Sequence, residues 1–206
     1  MNRLVGFSFA LALAACSNGD ATHDRSAEEV TAVELYEGMP TIDGAAAASA
    51  SEDQLVPDPS CSEAEQKVFS CTMKSGKQAS VCIAGEGDAQ FAQYRFGRVG
   101  KTAELVWPAS ADAGVLTFKS VPYSGGGEAQ ISFTRGDTTY AVFSRVIRTN
   151  FEPGEPNYPQ IDDGIMVKRN GAMLGELLCE NLDLPIDVNL AGRHMKPAAE
   201  MIYADQ

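Results

Sequence analysis

Between residues 68 and 179 the chain breaks into short segments of strand length separated by turn signals, with hardly a stretch long and amphipathic enough for a helix. The segments are 68–73, 78–83, 91–96, 103–107, 115–120, 129–134, 139–147, 165–168 and 173–179. In 129–134, Ile131 and Phe133 alternate with Gln130, Ser132 and Thr134, the pattern of an antiparallel strand with one buried face. Lys74-Ser75-Gly76-Lys77 and Arg135-Gly136-Asp137 read as hairpin turns, and Asn170-Gly171 is the strongest turn signal, since both residues tolerate the positive φ of a type I′ turn. About nine such strands predict an all-β fold, an antiparallel sandwich or small barrel. The stretch 151–164, with Pro153, Pro156 and Pro159, reads as a long surface loop, and the tail 180–206 as a short helix or a flexible end.

Upstream of this domain the composition changes. Met1-Asn2-Arg3 leads into the apolar run 4–13, and small residues Ala14 and Ala15 precede Cys16, the layout of an export signal. The run is too short to cross a bilayer, which takes about 20 apolar residues. Leu13-Ala14-Ala15-Cys16 resembles the lipobox of bacterial lipoproteins. That resemblance implies cleavage after residue 15 and acylation of Cys16 on its sulfur and its new amino terminus. Several acyl chains make a stable anchor where one would be marginal. Ser17, where an Asp would favour retention in the inner membrane, favours the outer membrane. Residues 17–60 are rich in Ala, Ser, Asp, Glu, Gly and Pro, cannot build a core, and read as a flexible acidic tether with a reach of roughly 35–40 Å. The expected organisation is therefore a signal peptide at 1–15, Cys16 and its tether to residue 60, a β domain at 61–179, and a tail at 180–206.

Charge separates the same regions. The formal net charge is −12, yet residues 17–60 carry ten acids against Arg25 while 61–206 carry eighteen acids against fourteen bases. The excess acidity lies mainly in the tether. Neither part offers the basic surface needed to displace counterions from phosphates, so nucleic acid is not an expected partner.

With Cys16 assigned to lipid, Cys61, Cys71, Cys82 and Cys179 remain, an even number in a chain bound for an oxidising compartment. Two disulfides are expected, in any of three connectivities, in preference to zinc, which favours tighter spacing. No metal or cofactor is expected.

The order of Val68-Phe69-Ser70-Cys71, Ser80-Val81-Cys82, Gln93-Tyr94-Arg95-Phe96-Gly97, Tyr123-Ser124-Gly125-Gly126-Gly127-Glu128 and Val167-Lys168-Arg169-Asn170-Gly171 resembles a family of exported bacterial proteins to which no activity is assigned. It covers the whole β domain and implies a shared fold. Phe69-Ser70-Cys71 followed by Gly76 is also similar to the opening of the membrane-bound lysozyme-inhibitor lipoproteins, over about a third of the chain. That resemblance implies a loop Ser and a basic residue entering a lysozyme cleft, and the sequence alone assigns no loop to the pair.

Among candidate sites, Tyr123, Ser124, Gly125, Gly126, Gly127 and Glu128 stand out, because three consecutive glycines cost backbone entropy unless a turn or a close approach requires them. The strand-like 129–134 that follows excludes a phosphate loop, which would open a helix. The stretch reads as a wide hairpin turn or bulge, or as a recognition loop flanked by Tyr123 and Glu128. Arg95, Arg98, Arg145 and Arg148 are either a basic patch or scattered strand charges, Asp162-Asp163 reads as part of a turn, and Tyr94 and Trp107 read as core aromatics. The two histidines, His23 in the tether and His194 in the tail, leave little for a Ser-His-Asp site.

These features point to a non-enzymatic, lipid-anchored binding module of the bacterial envelope, with a protein or glycan partner and lysozyme inhibition as its sharpest form. The alternatives are a structural lipoprotein and a carboxylate-dependent hydrolase of cell wall or lipid. Metabolic labelling with an acyl-chain probe should mark the wild-type chain and leave Cys16→Ser unlabelled and released from membranes; equal labelling would rule out the lipid anchor.

Overall fold

The computed structural model describes residues 57–203 apart from 155 and 157. The expected signal peptide, Cys16 and the tether as far as residue 56 lie outside the described residues. Among the described residues there are ten strands: β1 Gln66–Met73, β2 Gln78–Ala84, β3 Phe91–Gly97, β4 Leu105–Trp107, β5 Thr117–Tyr123, β6 Gly126–Arg135, β7 Thr138–Ile147, β8 Gln160–Arg169, β9 Ala172–Leu184 and, after an α-helix, β10 Lys196–Pro197. They make one sheet in the order β10-β5-β6-β7-β8-β9-β1-β2-β3-β4, antiparallel except for the β10–β5 pair. The sheet curls into a half-barrel. All nine expected segments are strands, and the turn at Asn170 (φ 50°) and Gly171 (φ 84°) joins β8 to β9 as their positive-φ tolerance requires.

The curl has a visible cause on the inner face. Alternate residues of most strands, among them Phe69, Val81, Tyr94, Ile131, Phe133, Val142 and Ile165, share one apolar cluster. Phe133 of β6 stacks on Tyr140 of β7 at 4.9 Å and meets Tyr94 of β3 at 5.1 Å and Trp107 of β4 at 6.1 Å. Strands far apart in the sheet order thus meet through side chains, which a flat sheet would not allow. The helix α1, Val188–His194, buries Leu190 and Ala191 in the same cluster and touches β1, β3 and β5. Asp187 caps it, its carboxylate accepting from the N–H groups of Asn189 and Leu190 at 3.0 and 2.9 Å, while its own N–H bonds the carbonyl of Val68.

The fold reaches beyond 61–179 on both sides. On the N-terminal side, the carbonyl of Pro57 accepts from Ala103 and the Asp58 carboxylate from the N–H of Gly100, so 57–60 is part of the domain. On the C-terminal side, β9 continues to Leu184, and β10 docks on the edge of β5 with Lys196 opposite Thr117. Leu182, 41% exposed, gives this extension little periodicity to read. The loop expected at 151–164 is shorter, because β8 begins at Gln160 and pairs along its whole length with β7. Asp162 and Asp163 are therefore strand residues with side chains on opposite faces rather than turn residues.

The connectivity left open by the sequence is resolved as Cys61–Cys82 and Cys71–Cys179, with sequence separations of 21 and 108. The loop-closure estimate gives about 3 kcal/mol for the shorter and about 5 kcal/mol for the longer. Denaturant unfolding of Cys71→Ser/Cys179→Ser should show the larger loss of stability, and that of Cys61→Ser/Cys82→Ser the smaller; a reversed order would mean that the long bridge does not hold the two parts of the sheet together.

Candidate functional site

Strand directions place the β5–β6 turn and the β7–β8 loop at one end of the sheet, and the β1–β2, β6–β7 and β8–β9 turns at the other. The first end gathers most of the candidate residues. Of Tyr123, Ser124, Gly125, Gly126, Gly127 and Glu128, only Ser124 and Gly125 form the turn; Tyr123 closes β5 opposite Gly126, so the hairpin is tight rather than wide. The glycines answer to close approaches. A Cβ on Gly125, at φ 85°, would lie 2.7 Å from Cδ of Arg148, and one on Gly126 would lie 2.0 Å from the carbonyl oxygen of Val146.

Arg148 connects this turn to the next loop. Its guanidinium lies 4.8 Å over the ring of Phe151, a cation–π arrangement, and its Nε donates to the carbonyl of Asn150 at 2.6 Å. The neck of the β7–β8 loop is tied by Thr149 donating to the carbonyl of Tyr158 at 2.5 Å and by Asn150 donating to that of Pro156 at 3.2 Å. Beyond this neck and beside it stand Phe151, Tyr158 and Ile161, 65%, 74% and 63% exposed, with Val146 and Ile147 also exposed. The hydrophobic effect alone would not leave five large apolar side chains in water at one end of a small domain. The sequence carries a signal for them, two aromatic residues in a proline-rich connection, where an ordinary surface loop would be polar.

Glu128 does not flank the loop as an exposed charge. It is buried, accepts from the Tyr123 hydroxyl at 2.8 Å and from the Gln130 side-chain amide at 2.5 Å, and lies on the outer face of the sheet. Burial, reinforced by the neighbouring Glu128 carboxylate, pushes the Tyr123 hydroxyl well above the ordinary tyrosine range, so this phenol remains a donor. Gln130 also reads the main chain of the tail, donating to the carbonyl of Ile202 and accepting from its N–H, both at 2.8 Å.

The four arginines do not make one basic surface. Arg95 is 5% exposed and bonds Glu65 at 2.5 and 2.9 Å, Gln93 at 2.8 Å and the carbonyl of Ser60 at 3.1 Å. Burial acts to raise the Glu65 pKa, but the Arg95 hydrogen bonds outweigh it and hold the carboxyl below its usual range. Arg98 donates to the carbonyl of Ser75, and Arg145 spans Asp162 at 3.3 Å and Glu176 at 2.9 Å. Trp107 and Tyr94 lie in the core packing described above. Among the described residues no group of three His, Cys, Asp or Glu is gathered to hold a metal.

No family model matches this chain, and no curated protein or solved structure matches it either. An apolar and aromatic end whose loop neck is hydrogen-bonded, with one arginine beside it, has the chemistry for contact with another macromolecule.

One buried acid remains unaccounted for. Asp163 is 7% exposed on the inner face, hydrogen-bonds the Ser144 hydroxyl, and leaves Oδ1 without a partner. Burial raises its pKa, the nearby Asp162 charge adds to this, and the Ser144 bond opposes it. A carboxyl whose folded pKa exceeds its unfolded value of 3.8 holds its proton longer in the native state, so the fold loses stability as pH rises from about 4 through the native value. Asp163→Asn should therefore gain melting temperature over wild type at pH 7 and lose most of that advantage near pH 3.5; a difference independent of pH would show that the charge is not the cost.

Proposed function

We propose that this chain is a lipid-anchored binding module of the bacterial envelope, held by Cys16 to the outer membrane, that inhibits a protein partner of the lysozyme type through the end of the sheet formed by the β5–β6 turn and the β7–β8 loop. The observation that carries the reading is the exposure of Phe151, Tyr158 and Ile161 on a loop whose neck is hydrogen-bonded, since anchors held in place before binding lose little conformational entropy on association. Two further features support it. The described chain begins near the opposite end of the sheet, where the carbonyl of Pro57 bonds Ala103 beyond β3, so residues 57–60 do not cover this surface. Exposed Ser124 precedes the glycine that rests on the aliphatic stem of Arg148, and these two are the candidates at this end for the serine and basic residue that the resemblance to lysozyme inhibitors calls for.

A clearing assay with a chain starting after Cys16 tests this directly. Wild type should suppress lysis by lysozyme in proportion to its concentration, and Phe151→Ala/Tyr158→Ala should weaken inhibition by about tenfold or more, as loss of two aromatic anchors at about 1 kcal/mol or more each would do. Melting temperature should change little, because both side chains are largely exposed and Phe151 gives up only its surface contact with Arg148. Full lysozyme activity at excess wild type, or equal inhibition by the double variant, would overturn the reading.

A further inference from the structure

The outer face of the sheet carries a second site at the end away from the aromatic loop. Residues 197–202 run over this face as a strap pinned at three places. The N–H of Ala198 bonds the carbonyl of Phe118 at 2.8 Å, the Lys119 ammonium donates to the carbonyl of Ala199, and Gln130 clamps the main chain of Ile202. Between these points the strap stands off the sheet and walls a groove of about 330 Å³, with Val115 on the other side.

The floor of the groove is a row of hydroxyls from three strands: Thr117 of β5, Ser132 and Thr134 of β6, and Thr139 of β7. Thr117 lies within hydrogen-bond reach of both the Ser132 carbonyl, at 3.0 Å, and the Ser132 hydroxyl, at 2.9 Å, where either hydroxyl can donate, and both hydroxyl oxygens keep acceptor capacity. Thr134 and Thr139 share one bond at 3.0 Å, which leaves one donor and further acceptor capacity. No Lys or Arg is among the lining residues, the adjoining Lys119 ammonium being bonded to the Ala199 carbonyl; exposed Glu200 brings a single carboxylate, and Val115 and Ile202 supply apolar walls.

We infer that this groove is a binding site for a neutral sugar of one or two rings, distinct from the macromolecular surface at the other end. A floor of four hydroxyls, paired with one another yet each with acceptor capacity left, favours a ligand that brings several hydroxyl groups. With the Lys119 ammonium already bonded to the Ala199 carbonyl and the Glu200 carboxylate in the lining, the groove disfavours phosphates and carboxylates, and the apolar walls suit the C–H faces of a pyranose. The volume lies near the lower limit of ligand pockets, roughly 300–1,000 Å³, which fits a small sugar. The inference does not depend on the lysozyme reading, because it uses none of the same residues.

The test is an amide chemical-shift titration of the full-length chain, in a detergent without a sugar headgroup, using N,N′-diacetylchitobiose and maltose as neutral probes and glucose 6-phosphate and glucosamine as charged ones. The expected result is saturable shifts at Ser132, Thr134, Thr139 and residues 198–202 with at least one neutral probe, and at least tenfold weaker binding of both charged probes. Thr134→Val/Thr139→Val, nearly isosteric and suited to strands, should weaken that binding at least fivefold with melting temperature unchanged. Absence of saturable shifts with both neutral sugars, shifts confined to other parts of the sheet, equal or tighter binding of a charged probe, or undiminished affinity in the valine variant would each overturn the site. A valine variant that melts early would be replaced by Ser132→Ala, for which the same fivefold loss is expected and an unchanged affinity counts against the site.

Discussion

Strand β9 makes this molecule one sheet. Its first part pairs with β8, from Ala172 opposite Arg169 to Leu178 opposite Gly164, and its second part pairs with β1, from Cys179 opposite Met73 to Leu184 opposite Ser70. Without that double pairing, β1 to β4 and β5 to β8 would be two small sheets, each with an apolar face too narrow to bury itself. The β1–β9 ladder is irregular, with two register shifts in four pairs. The Cys71–Cys179 bridge and the Lys67–Asp183 ion pair reinforce it at this seam. Once the two parts are joined, the aromatic cluster around Phe133 can pull β3 and β4 over toward β6, and α1 fits between β1, β3 and β5.

A curled sheet has two faces to satisfy, and the outer one is covered by the ends of the domain. On the β2–β3 side the segment leading into β1 is held by the Cys61–Cys82 bridge and by Glu65 on buried Arg95, so that Ser80, Cys82 and Arg95 are buried on a face that would otherwise be wet. On the β6–β8 side the tail packs Ile202 against Ala141, Phe143 and Met166, with Gln130 as its clamp. Buried polar groups on this face are therefore mostly paired, as their desolvation cost requires. Asp163, on the inner face, keeps an unpartnered oxygen and is a local weak point of the fold.

The arrangement separates roles along the length of the strands. One end carries short turns, the entry of the chain at Pro57 and the hydroxyl-lined groove. The other carries the tight Ser124-Gly125 turn, seated on Arg148, and the proline-rich loop with its exposed aromatics. Stability rests on the middle of the sheet, which leaves both ends free to differ in chemistry.

The period-two alternation of Ile131 and Phe133, the turn at Asn170-Gly171 and the spacing of the other segments made the all-β class and nearly every strand legible from sequence, because these depend on local geometry and on which side chains avoid water. The glycine triplet was legible as special for the same local reason. The disulfide pairing, the burial of Arg95 and Glu128, the strand character of Asp162 and Asp163, and the gathering of Ser124, Arg148, Phe151 and Tyr158 were not. Each depends on contacts between residues far apart in the chain: β1 beside β9, a glycine against the end of β7, a tail laid over β6. Sequence patterning states which faces must be buried, and only the order of strands in the folded sheet decides what buries them and what is left exposed at the ends.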